Sequence, residues 1–229
     1  FRILSVYHKG RLIDPSVRPE TAACPDSLKN TVHVRPLSSD AFRLSITEEE
    51  VPVIRLNASQ ITTSKIACHL PKTDNYPQDG FNKIAAVERH KATGKTGVGI
   101  CTGYNIRNGA IASSVSHDSH NIIVIGDNDA DMLLAVSEII RVQGGYTLVS
   151  RGKVLGTLPL PVMGLMSDAG FETVNRTLGQ MIAEAHRLGI PDEVEPFITL
   201  SFLALPVIPE IRITPRGVLD TVSFEFLSY

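Results

Sequence analysis

Six polar or titratable residues follow one another in Ser116, His117, Asp118, Ser119, His120 and Asn121. Histidine can ligate a metal or move a proton near neutral pH, and a neighbouring aspartate can fix its tautomer. His117, Asp118 and His120 are therefore the candidate catalytic groups. Ser114 and Asn121, at the borders of the run, are candidate substrate contacts. Residues three apart in a regular strand face opposite sides, so a joint site for His117 and His120 requires an irregular backbone. The alternative is a hydrogen-bonded cluster that caps a strand, and residue types alone leave both open. A second candidate group is Glu88-Arg89-His90. A charged triplet at a strand end is most often a solvated ion pair worth little; its other reading is a substrate contact. Ser167 and Asp168 stand at the start of an expected helix, where backbone N–H groups can receive a polar ligand. Gly94-Lys95-Thr96 has the ending of a phosphate loop, but position 89 is arginine where such a loop needs glycine, so the stretch reads as a turn. Cys24, Cys68 and Cys101 lack paired spacing, which argues against a structural zinc site and for free thiols in a reducing compartment.

The polar run is followed by Ile122-Ile123-Val124-Ile125 and Gly126, an apolar stretch ended by a turn residue and expected as a buried strand. It is preceded by the small residues Gly109, Ala110, Ala112, Ser113 and Ser114, which allow close approach by another backbone. Asp127-Asn128-Asp129 then offers capping groups for a helix over 129–143, whose apolar positions are Met132, Leu133, Val136, Ile139 and Ile140; Gly144-Gly145 stops it. Tyr146–Val149 and Lys153–Leu158 read as a hairpin around Arg151-Gly152. A second helix is expected over 171–188, capped by Asp168, with Phe171, Val174, Leu178, Ile182 and Ala185 as its apolar stripe. Upstream, Asn82–His90 reads as a strand with Ile84, Ala86 and Glu88 on one face and Ala85, Val87 and Arg89 on the other. Val98–Thr102 and Val51–Leu56 read as further strands, the latter near an edge because Pro52 cannot donate a ladder bond. Val218–Leu227 reads as a final strand. The N-terminal Phe1–Asp14 reads as a hairpin turning at Lys9-Gly10, and Pro15–Asn30 as a linker. The fold class is thus α/β or α+β: a mixed sheet with covering helices and a short N-terminal hairpin.

At 43% hydrophobic and 20% charged residues the chain can bury a core. A net charge of −2 lacks the basic footprint of a general nucleic-acid binder. No apolar run approaches the length of a membrane span, and no signal peptide is visible. A chain that opens Phe-Arg-Ile-Leu inside an apparent strand is expected to be a piece of a longer polypeptide.

The stretch GAIASSVSHDSHNIIVIG (109–126) resembles the signature of the C-terminal domain of bacterial and archaeal adenine deaminases, members of the amidohydrolase superfamily. LPLPVMGLMSD (158–168), PFITLSFLALPVIPEIRIT (196–214) and, more weakly, KIAAVERHKATGKTGVGICTGY (83–104) agree in the expected order, so the likeness runs from about Asn30 to the C-terminus. The resemblance implies a C-terminal domain over 30–229, with residues 1–29 as the end of a small β-sandwich and a linker. It implies a full-length enzyme that converts adenine and water to hypoxanthine and ammonia in purine salvage, in the cytoplasm. It also implies manganese or iron in a (β/α)8 barrel, where the metal lowers the pKa of bound water. That barrel is not expected here: no His-x-His occurs, and a (β/α)8 barrel alone needs about 250 residues. The implied role is to cover the barrel mouth or complete an assembly such as a homo-oligomer, with the isolated chain inactive. The alternative is a stand-alone, non-catalytic purine-binding or interaction domain.

Overall fold

The computed structural model describes residues 3–14, 16–17, 23–76 and 80–229. In chain order the strands are β1 (Tyr7–His8), β2 (Arg11–Leu12), β3 (Val51–Leu56), β4 (Thr63–Cys68), β5 (Asn82–Val87), β6 (Thr96–Thr102), β7 (Gly109–Ser113) and β8 (Ile122–Gly126). Helix α1 (Asp129–Arg141), β9 (Gly145–Ser150), β10 (Lys153–Pro159), α2 (Phe171–Arg187), α3 (Pro196–Phe202), β11 (Ile211–Thr214), β12 (Gly217–Asp220) and β13 (Glu225–Phe226) follow. Strands β3 to β10 build one sheet in the order β10-β9-β7-β8-β5-β6-β3-β4. Every neighbouring pair is antiparallel except β3 with β6. This is the mixed sheet with covering helices expected from the sequence, with no closed barrel among the described residues.

Strand alternation divides the core between the two sheet faces. Ala85 and Val87 join Ala110, Ala112, Ile122, Val124 and Val149 on the face covered by α1, through Met132, Ala135, Val136 and Ile139. Ile84 and Ala86 join Ile111, Ile123, Ile125 and Leu148 on the other face, under α2, α3 and the small sheet β11-β12-β13. Each fully buried Met, Val or Ile on α1 stabilises the pairing by about 1.5–3 kcal/mol. Asn128 caps α1 by accepting the Asp131 N–H at 2.8 Å, and Gly144 ends it at φ +111°, where a Cβ would stand 2.3 Å from Gly164 Cα. Helix α1 links β8 to β9, which run parallel on either side of β7.

Several local expectations are corrected. Asp168 does not cap α2: the cap position is Gly170, and no side chain closes that end. Phe171 is 64% exposed, because it precedes the turns of α2 that meet the sheet at Met181 and Ala185. Residues 218–227 do not form one strand; Thr221–Phe224 turn the chain between β12 and β13. The apolar stretch after Glu195, whose pattern selects no element on its own, is a helix, α3, because the Glu195 carboxylate receives the Ile198 N–H and Pro196 occupies its first turn. Strand β3 does lie near an edge, one strand in from it, and the missing Pro52 N–H is tolerated because β3 meets β6 only from Ile54 onward. The hairpin β1–β2 lies where expected, turning at Lys9-Gly10, and Phe1 and Arg2 lie outside the described residues.

Candidate functional site

The polar run bridges two central, adjacent strands, so both its ends are anchored. It leaves β7 at Ser113 and enters β8 at Ile122. Ser114 is buried and already committed: its hydroxyl donates to the Gly164 carbonyl at 2.6 Å and accepts the Gly145 N–H at 2.8 Å. It thereby ties the polar loop to the start of β9 and to the 160–168 loop. Asn121 is also committed, accepting the Arg89 N–H at 3.3 Å and donating to Ser119 Oγ at 3.1 Å. The His120 N–H donates to the Ser116 carbonyl at 2.6 Å, closing a tight turn in which His120 takes φ +49°.

This irregular backbone does what a strand could not, placing the His117 and His120 rings on one side with centroids 5.9 Å apart. The His117 N–H donates to the Ser201 carbonyl at 3.1 Å, and its ring lies 4.9 Å from that of Phe202. Both imidazoles are partly exposed and Asp118 is exposed, so the three candidate catalytic groups form an open rim. Burial first, then the charges of His117 and Arg89, hold the His120 pKa below the ordinary histidine value; Asp118 opposes them and His90 adds to them. Among the described residues, no three His, Cys, Asp or Glu side chains converge as a metal site would require.

Glu88, Arg89 and His90 do not form the solvated ion pair that their types suggest. Arg89 is 2% exposed. Its guanidinium donates to the carbonyls of His120, of Thr31 at 3.3 Å and of Met163 at 3.1 Å. The Glu88 carboxylate turns back on its own loop and accepts the N–H groups of His90, Lys91 and Thr93 at 2.6, 2.8 and 2.9 Å. Burial would raise its pKa, but these donors and the Thr93 hydroxyl together bring it to about 2. His90 Nε2 meets the Ser119 carbonyl at 2.7 Å. Arg89 and His90 therefore buttress the 116–121 loop through the His120 and Ser119 carbonyls. Ser167 Oγ accepts the Ala169 N–H at 3.2 Å, and Asp168 is exposed beside it. Gly94-Lys95-Thr96 is the expected turn into β6.

Sequence reasoning missed Ser201 and Phe202, which lie in an apolar run with no periodic polar signal. Phe202 also lines a cavity of about 220 Å³ with Leu56, Ile61, Thr62, Glu195 and Ile198. Ser116 Oγ and Ser201 Oγ, on either side of the His117 backbone, are buried without partners among the described residues.

The polar loop thus stands at the end of two central strands, its backbone held and its imidazoles partly exposed. The family model described as adenine deaminase C-terminal domain matches residues 60–225, and the chain belongs to that family. It is 47% identical over 227 residues to the adenine deaminase of Desulfitobacterium hafniense, covering 98% of this chain and 40% of that protein. The adenine deaminase of Clostridium acetobutylicum is 43% identical over 208 residues, covering 87% of this chain and 36% of its own length. That of Bacillus subtilis is 39% identical over 213 residues, 91% of this chain and 37% of its own length. The chain thus spans about 40% of the length of the curated relatives it matches. No helix among the described residues is long and apolar enough to cross a membrane.

Proposed function

We propose that this chain is the C-terminal part of an enzyme that hydrolyses adenine to hypoxanthine and ammonia, and that its 116–121 loop meets the mouth of the catalytic part. The observation that carries this reading is the 47% identity over 98% of the chain to a protein named adenine deaminase. The loop supports the placement. Its polar side chains stand at the rim while its backbone is held by Arg89, Ser114 and Ser201, the rigid support that a contact site requires. The metal, manganese or iron, is assigned to the catalytic part outside this chain. What this chain supplies is positioning and exclusion of water: a lid strengthens every electrostatic contact beneath it.

The hairpin β1–β2 and residues up to 29 are assigned to the preceding part. Ile3, Leu4, Tyr7 and Leu12 are 62–85% exposed, as expected of a strand pair whose apolar face is completed elsewhere. Purine salvage in the cytoplasm and assembly as a homo-oligomer complete the reading. In the full-length enzyme, His117→Ala lowers kcat/KM for adenine by at least about tenfold with an unchanged melting temperature. Wild-type kcat/KM would make the loop a solvated surface feature. The isolated chain shows no adenine turnover with added Mn²⁺; metal-dependent turnover would place the reaction within this chain and end the reading.

A further inference from the structure

His120 is tied twice to Ser116. Besides the backbone bond between them, the Ser116 N–H donates to His120 Nδ1 at 3.4 Å. A ring nitrogen that accepts a hydrogen bond carries no proton, so the neutral ring bears its proton on Nε2. Protonating Nδ1 would set two N–H donors against each other and open the turn. The surroundings disfavour a charged ring. The Arg89 guanidinium is held at the His120 carbonyl, the His117 ring lies 5.9 Å away, and His90 is bound at the Ser119 carbonyl. Against these stands the carboxylate of exposed Asp118; that of Glu88 is turned to the N–H groups of its own loop. Among the described residues Nε2 has no hydrogen-bond partner, and the side chain is only partly buried.

We propose that His120 is a fixed, neutral hydrogen-bond donor: its Nε2–H binds a ring nitrogen of the purine, and Arg89 is the positioning residue that keeps the imidazole in that state. This rests on the reading that the loop meets adenine, and it assigns His120 a role different from proton transfer or metal ligation. A histidine whose Nδ1 accepts the Ser116 N–H and whose carbonyl holds the Arg89 guanidinium neither takes up nor delivers a proton near neutral pH; it holds the base in register. The three carbonyls that fix Arg89 come from Thr31, His120 and Met163. The donor is thus set by three segments of the chain acting together.

Histidine-selective ¹⁵N NMR on the chain tests the tautomer directly. The expected result is the Nε2–H form between about pH 6 and 8, and in Arg89→Met a His120 titration moved upward. An Nδ1–H form, or a protonated ring at neutral pH, would overturn the proposal; an unmoved titration in a folded Arg89→Met chain would remove Arg89 from it. Activity of the full-length enzyme supplies the second arm, which holds even where Arg89→Met does not fold. His120→Ala is expected to lose about tenfold in kcat/KM, one hydrogen bond's worth. His120→Gln, whose amide N–H can stand where Nε2–H stood, is expected to return to within about threefold with an unchanged pH profile. Glutamine as poor as alanine would mean that the ring must titrate, and would overturn the donor role. Alanine as good as histidine would instead remove the underlying placement of the loop at adenine, and with it the purine contact, whatever the tautomer.

Discussion

Lys83, near the start of β5, and Arg89, just past its other end, are both out of water at 1% and 2% exposure. Their partners differ in kind. Lys83 Nζ meets the Asp129 carboxylate at 2.6 Å, Asn75 Oδ1 at 3.0 Å and the Phe42 carbonyl at 2.9 Å. Arg89 has backbone carbonyls only, and among the described residues no carboxylate. At the Lys83 end, acids close everything: Asp127 receives the N–H groups of Asn108 and Gly109, and Asp131 those of Arg151 and Gly152. At the Arg89 end, the polar groups fix backbone and leave imidazoles at the rim. One end of the sheet is closed by the Lys83–Asp129 pair and by aspartates that hold backbone N–H groups, and is architecture. The other is a rigid backbone frame around side chains that remain available, which is the arrangement a contact surface needs.

The strongest way to break this comparison is to remove the acid from the sealed end. Asp129→Ala removes the carboxylate that Lys83 Nζ meets at 2.6 Å, and breaking a buried ion pair from one side costs about 3–5 kcal/mol. Urea unfolding of the chain should show that loss, with the double variant Lys83→Met, Asp129→Leu recovering most of it. If Asp129→Ala were nearly neutral, the two ends would differ in appearance and not in energy. A smaller effect is expected at the open end from Ser114→Ala, which leaves the buried Gly145 N–H without the hydroxyl it donates to, a loss of about 1–3 kcal/mol. The 160–168 loop, held through Gly164, should then exchange its amide hydrogens faster than α1 does.

The sealed and open ends were unequally legible in the sequence. The alternation of Ile84 and Ala86 against Ala85 and Val87 was readable because strand geometry is local, and the two core faces confirm it. Helix α1 was readable because cap, stripe and stop lie within one segment. The burial of Arg89 was not, because its carbonyl partners come from residues far apart in the chain and a carbonyl has no sequence signature. Lys83 was hidden for a similar reason: Asp129 reads as a helix-capping acid, and only the antiparallel neighbours β5 and β8 bring the two together. The small sheet escaped notice where it presses on β6. A Cβ on Gly97 would stand 2.0 Å from the Thr214 carbonyl oxygen, so that glycine records a contact with a segment that sequence reading cannot place. His117 and His120 were legible as residue types, but their meeting on one side depends on the tight turn at Ser116–His120.

The smallest effect, and the one that most sharpens the contrast, is expected at Glu88. Its carboxylate touches neither Arg89's guanidinium nor a histidine ring; it gathers the N–H groups of His90, Lys91 and Thr93, so its work is to shape the loop beneath the site. Because those donors favour the charged form, the folded pKa is about 2, below the ordinary value of 4.5. A carboxyl whose pKa falls on folding contributes stability that is fully present above 4.5 and lost as pH drops through the folded value of about 2. Glu88→Gln keeps an acceptor oxygen but no charge, so at neutral pH it should cost about 1 kcal/mol or less for a group that water still reaches. The difference between native and variant should shrink over the window from 4.5 down to about 2 and vanish below it. Unfolding free energies across that acid range measure it. A difference that persisted undiminished at the acid limit would mean that the loop depends on the shape of the side chain and not its charge, and the open end would then owe nothing to electrostatics at Glu88.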